Sequence, residues 1–332
     1  MIPLSSHPGR SHPQVAFLVF AAACGYSLSP ELQAQYPERA IRIVVPFPPG
    51  NAPDLQARMV GERFTAEMKQ PVIVENRPGG NTVIGAQAVA QAKPDGYTLY
   101  MTTSQHLTLP SLIKDLSFDP VRDFVPITTM SASELSITVR TEVPVASFTD
   151  FVRWAKEKPG ALTYGSGGVG SPGHLTCAAV ADRAGLSVRH IPYKGVTDAM
   201  AATLAGTVDF TCSAAANLLV QIKAGKLKAI ITTGEKRHPA LPNTPTFREA
   251  DPSGMVLTSW SILLAPRGTP QPVLERLNGV TTAMIRTPDY VKFTDRIGSS
   301  PAPRTLAESA ELFQSEEKLV RDIIRKSGIQ PE

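Results

Sequence analysis

Residues 164–174 read YGSGGVGSPGH, and inside them Gly165-Ser166-Gly167-Gly168-Val169-Gly170 matches the pattern G-x-G-x-x-G. That pattern holds a dinucleotide pyrophosphate when it forms a tight first βα turn and an acid follows about 20 residues on, at the end of the next strand. The next strand here ends Arg189-His190-Ile191-Pro192-Tyr193 and carries no acid. Ser171-Pro172-Gly173 also intervenes before a helix can start near His174, so the turn is not tight. The stretch therefore speaks against a nucleotide enzyme. It suits a loop whose backbone N–H groups approach a ligand, next to a helix start whose dipole favours an anion. A plain tight connection is the competing reading.

Upstream, 41–45 is a β-branched run stopped by Pro46, followed by a turn-rich loop through Pro53 and a helix opened by Asp54. A strand at 72–74, a loop at 76–80, a helix at 84–91 and a strand at 97–101 complete a β-α-β-α-β series. After a long irregular segment a second series begins. It predicts helices at 148–156, 174–184, 197–205 and 218–224, and strands at 162–164, 188–191, 208–211 and 227–233. One more strand at 261–264 and helices at 270–286 and 306–326 close the chain. Alternation of this kind implies parallel sheets covered by helices, an α/β fold, and two series in 332 residues imply two lobes.

Open parallel sheets bind ligands where loops leave the carboxyl ends of strands. Loops 47–54, 102–106 and 165–174 have that position, and a ligand held between the first and third would lie in an interlobe cleft. The candidate contacts are Phe47, Pro49, Gly50, Asn51, Ala52 and Asp54 from the first loop, and Ser104 and Gln105 from the second. The third supplies Ser166, Gly167, Gly168, Gly170, Ser171 and His174, with Tyr193 and Ala215 at neighbouring strand ends. Asp54 also fits a helix N-cap, since an acid facing an anion repels it. His174 fits a ligand contact or a cap of its own helix equally well.

Net charge is +4, from 33 basic and 29 acidic residues with no basic run, which does not suggest nucleic-acid binding. No G-x-S-x-G elbow and no His/Cys cluster at metal spacing occurs, so neither catalysis, a metal nor another cofactor is expected. Residues 1–34, with Arg10 and His12 ahead of the apolar run 15–23, read as a secretory leader cut near Ala34. Lipid attachment at Cys24 is the alternative. Export would leave Cys177 and Cys212, either bridged or as two buried thiols.

Several short motifs then fall in a familiar order: Ile43-Val-Val-Pro-Phe47, Pro71-Val-Ile-Val-Glu-Asn-Arg-Pro-Gly79, Pro94-Asp-Gly-Tyr-Thr-Leu99, Tyr164-Gly-Ser166 with His174, Pro192-Tyr-Lys-Gly195, Ala224-Gly-Lys-Leu227 and Trp260 with Leu264-Ala-Pro266. In this order and spacing the chain resembles the solute receptors of tripartite tricarboxylate transporters, the Bug family. The resemblance implies a two-lobed, type II-like periplasmic binding protein of the Venus-flytrap kind. It would be monomeric and non-enzymatic, holding a small organic acid between the loops at 47–54 and 166–174 for membrane permease subunits. A receptor feeding a sensor kinase would share the same lobes. On this basis lobe one is expected at 35–135 plus 256–332 and lobe two at 136–255. The first loop departs from the family: Gly50-Asn51-Ala52-Pro53-Asp54 carries Pro53 where a hydroxyl residue is usual, which removes a donor.

Overall fold

The computed structural model describes residues 36–252, 254–327 and 329. The expected leader, Ala34 and Cys24 lie outside the described residues. The first lobe opens with β1 (Ile41–Val45), α1 (Ala52–Met68), β2 (Val72–Asn76), α2 (Val83–Ala90), β3 (Thr98–Thr103) and the short α3 (Leu109–Leu112). The long β4 (Phe124–Arg140) leads to α4 (Phe148–Lys156), β5 (Thr163–Ser166), α5 (Pro172–Ala184), β6 (Arg189–Pro192) and α6 (Val196–Ala205). Then come β7 (Phe210–Ala214), α7 (Ala215–Lys223), β8 (Leu227–Thr232), the short α8 (Phe247–Ala250) and β9 (Thr258–Pro266). The chain ends with α9 (Gln271–Ile285), α10 (Pro288–Arg296), β10 (Ser300–Pro301) and α11 (Leu306–Lys326).

The strand order is β2-β1-β3-β9-β4-β7-β5-β6, with β8 and β10 also paired to β4. β1 is parallel to β2 and β3, and β5 is parallel to β6 and β7. Both parallel sets are buried between helices, which is why β1 is apolar on both faces: Ile41, Ile43, Val44 and Val45 are all 0% exposed. β9 and β4 run antiparallel to the neighbours that join the two sets. The first lobe's core gathers Ile43, Phe64, Leu99 and Leu277 on one side of its sheet, and Tyr100, Trp260 and Phe313 on the other. The second has its own core around Phe151, Tyr164, Phe210 and Ile231.

The segment expected to be irregular contains the longest strand. β4 pairs with β9 up to Glu134↔Thr258 and with β7 from Leu135↔Ala214, so one strand belongs to both sheets. Its small polar residues hid it. Thr128 Oγ1 donates to Arg304 O at 3.0 Å, Ser131 Oγ accepts from Gln56 Nε2 at 2.8 Å, and the Ser136 and Thr138 hydroxyls lie 3.0 Å apart. These hydroxyls are satisfied inside the protein, which a hydropathy pattern cannot register. Thr233 fastens the crossing: its Oγ1 accepts from Leu135 N at 2.9 Å and its carbonyl accepts from Leu257 N at 3.0 Å. α10, capped by Thr287, was likewise not expected.

Cys177 of α5 and Cys212 of β7 form a disulfide, with Cα atoms 5.8 Å apart. A Cβ on Gly173 would meet the Cys212 carbonyl, so α5 starts in direct backbone contact with β7. No helix among the described residues is long and apolar enough to cross a membrane.

Candidate functional site

The loop after β1 turns back on itself. α1 begins at Ala52 and its N-cap is Asn51, whose Oδ1 accepts from Asp54 N at 3.0 Å while its Nδ2 donates to Pro48 O at 2.6 Å. Asp54 is therefore not the cap expected of it but the third helical residue. Its buried carboxylate accepts from Gly50 N (2.8 Å), Asn76 Nδ2 (2.9 Å) and Arg58 (3.0 and 3.1 Å). Burial pushes this carboxyl up, but Arg58, the Gly50 amide and Asn76 outweigh it and hold the pKa below the ordinary value. Pro53 has no N–H, so the amides of this loop left without an acceptor among the described residues are few, Asn51 and Ala52 among them. Phe47 is half-buried, its carbonyl accepting from Asn76, and Pro49 and Gly50 are exposed.

The glycine loop after β5 centres on Ser166. Its Oγ accepts from Gly168 N (3.2 Å) and Ser171 Oγ (3.3 Å), donates to Gly168 O (3.1 Å) and lies 2.7 Å from His190 Nε2. One hydroxyl proton cannot serve two acceptors, so Ser166 donates either to Gly168 O or to His190 Nε2, and the His190 tautomer decides which. α5 begins at Pro172, earlier than expected, because Ser171 is its N-cap and accepts from His174 N. His174 Nδ1 accepts from Gly170 N at 3.1 Å, which places its proton on Nε2. The His174 and His190 rings stack with centroids 3.8 Å apart. Burial lowers the pKa of His174 to about 3, helped by His190, and that of His190 to about 4. Sequence reasoning missed His190; its place in β6, paired with Tyr164 on the strand that ends in Ser166, was the available signal. The amides of Gly167 and Val169 keep no acceptor among the described residues.

Both lobes line a narrow cavity of about 30 Å³. Ser104, Gln105 and Thr108 line it from the turn after β3, and Gly170, Pro172, Leu175 and Thr176 from the glycine loop and α5. Leu135, Leu257 and Thr258 line it at the crossings, and Glu316, Leu319, Val320 and Ile323 from α11. Of the expected residues the cavity thus gathers Ser104, Gln105 and Gly170. It does not include Phe47–Asp54, Ser166, His174, Tyr193 or Ala215, although Ser166, Ser171 and His174 shape the loop that carries Gly170. Tyr193 donates its amide to Ser166 O at 3.1 Å, and Ala215 is buried at the start of α7. The α11 residues were missed because they lie more than a hundred positions from the loops they face.

Glu316 is the one ionisable side chain in that lining among the described residues. Burial pushes its carboxyl above the ordinary range, against the pull of the Trp260 indole N–H and of Arg304. The Trp260 Nε1–H, itself buried, is near Glu316 but outside normal hydrogen-bond geometry. Gln105 Nε2 donates to Asn81 Oδ1, and Thr108 Oγ1 donates to Gln105 O. The chain around Asn81 is strained: Thr82, a β-branched residue, has φ +77°.

Known proteins share this fold. Over residues 56–329 the chain matches the family described as "Tripartite tricarboxylate transporter family receptor". A protein encoded in the tcbD–tcbE intergenic region of Pseudomonas sp. (strain P51) is 34% identical over 283 residues, 85% of this chain and 84% of that one. An R. palustris protein solved with adipate superposes with TM-score 0.77 at 28% identity, covering 90% of this chain and 100% of the other. MatC from Rhodopseudomonas palustris, with bound malate, superposes with TM-score 0.74 at 28% identity, covering 87% and 100%. Such matches take in both lobes, the crossings between them and α11, so the chain belongs to the tripartite tricarboxylate transporter receptor family, whose members are solute-binding receptors.

Proposed function

We propose that the protein captures a small organic acid between its lobes and presents it to membrane permease subunits, without transforming it. The observation that carries this is the cavity lined by both lobes at the carboxyl ends of β3 and β5, where open α/β sheets take their ligands. On this reading lobe one comprises 35–135 plus 256–332 and lobe two 136–255; the change of β4 partner at Glu134–Leu135 supports that division. The N-terminus of α5, which has no acid in its first turn and brings Pro172 and Thr176 to the cavity, favours a carboxylate on the lobe-two side. Ser166, Gly168, Ser171 and His174 hold the loop that leads into it. On this reading the loop at Phe47–Asp54, with Tyr193 and Ala215, supplies further ligand contacts. The relatives solved with adipate and malate support a carboxylate ligand. The receptor works as a monomer in the periplasm after removal of residues 1–34.

A thermal-shift screen against mono-, di- and tricarboxylates and aromatic acids tests this proposal. At least one acid is expected to raise the Tm by several degrees at millimolar concentration, and NAD and ATP are expected to leave it unchanged. A Tm raised by a nucleotide and by no acid would overturn it.

A further inference from the structure

We infer that lobe two carries a second binding site, behind the glycine loop, for a small organic anion with a single negative charge and an apolar body. It does not rest on the space between the lobes being the receptor's ligand site.

A pocket of about 500 Å³ opens between α5, the edge strand β6 and the turn after α11. That is ample for a small molecule. None of its lining residues also lines the cavity between the lobes: Val169 and His174 belong to the pocket, Gly170 and Leu175 to the cavity. Three rings stand in a column beside the pocket, where His190 stacks on His174 at 3.8 Å and on Tyr164 at 4.9 Å. The column is fixed before any ligand arrives, because His174 Nδ1 accepts from Gly170 N and His190 Nε2 bonds to Ser166 Oγ. His174, 4% exposed, therefore carries its proton on Nε2, which has no partner among the described residues. Tyr164, 3% exposed, has a phenol that burial keeps protonated and that makes no hydrogen bond among the described residues. Two buried donors left without acceptors call for an acceptor in the pocket. Arg189, exposed on β6, adds a guanidinium without an ion pair, and no Asp or Glu lines the pocket, among the described residues. Asp182 lines only the adjoining hollow, together with Lys326. One cation and two neutral donors with no acid select a single negative charge. Val169, Ala178, Val188 and Ile329 wall the rest and suit an apolar body.

In the test, benzoate and hexanoate are titrated into the full receptor at pH 7, with benzamide and hexanamide as uncharged controls, and the histidine ring signals are followed by NMR. At least one acid is expected to shift the His174 and His190 signals saturably at millimolar concentration, with both amides inactive. His106, beside Gln105 of the interlobe cavity, reports on the other site, and His238 lines neither. Arg189→Ala is expected to weaken this binding about tenfold. Val188→Trp, which fills the pocket from a half-buried position, is expected to abolish it. A His190 signal unmoved by both acids, amides as active as the acids, or an affinity unchanged in Arg189→Ala overturns the inference. An acid that moves His106 and not His190 also overturns it, while supporting the receptor reading. Arg189 is exposed, so its replacement leaves the fold intact and the test decisive.

Discussion

At Gly170 a hydrogen atom is the largest side chain the backbone accepts. Its φ is +73°, and a Cβ there would run into Leu112 Cδ1 with Thr108 Oγ1 at 3.1 Å. Gly170→Val is therefore expected to weaken ligand binding tenfold or more in calorimetry, because the loop must move away from the lobe-one wall. Gly168 also has a positive φ, +123°, but its nearest obstacle is Tyr193 O at 3.4 Å, so a substitution there costs backbone strain more than collision. A second residue-scale expectation concerns acid. Burial holds His106 near a pKa of about 4, against the pull of the Pro120 carbonyl, and keeps His174 and His190 at about 3 and about 4. Unfolded histidine titrates near 6.5, so the unfolded chain binds more protons below that pH. The stabilisation is complete above pH ~6.5 and is lost as pH falls toward 4. The Tm should drop by about 5 °C or more between pH 7 and pH 5, a window above the carboxylate titrations, and His190→Gln should flatten the slope. That the glycine run is a loop leading into a helix was legible because residue type and order suffice there. That Asn51, not Asp54, caps α1 was not, because both are good caps and only the backbone conformation chooses between them.

Element boundaries repeat that lesson on a larger scale. α4 and α11 were read from sequence to the residue because Ser147 and Thr305 cap them and their apolar faces are regular. β4 was not, since its buried positions are filled by threonine and serine as well as by Ile127 and Met130. At this scale the Cys177–Cys212 bond matters most, because it ties α5, whose first turn meets the cavity, to β7. The loop it closes spans 35 residues, for which chain entropy alone gives a contribution of about 3–4 kcal/mol. Cys177→Ser with Cys212→Ser should lower unfolding stability by roughly that amount in urea titrations. The denaturation midpoint of the unsubstituted protein in reductant should approach that of the variant once the buried sulfurs are reached.

Across the whole molecule the lobes touch at places other than their crossing strands. Gly170 meets Leu112 and Thr108, and at Gly298, just before β10, a Cβ would collide with Ala216 at the start of α7. These contacts belong to lobes drawn together, so bulk at that point should keep them apart. Ala216→Leu is expected to enlarge the ligand-bound radius of gyration in solution scattering and to speed ligand release, with Ala216→Ser close to the unsubstituted protein. Sequence alone cannot supply such contacts, because Ala216 and Gly298 meet only after both lobes have formed. The two-lobe organisation itself was legible, since each βα series carries its own apolar set.

A strand that runs through both sheets makes the halves share one fate. Stripping β4 from its partners in lobe two removes β7 and β8 from their neighbour and, through Thr233, loosens Leu257 ahead of β9. Neither half retains a complete sheet once the other has melted, so denaturation is a single cooperative event for the entire clam, and a lesion in either shell lowers the survival of both.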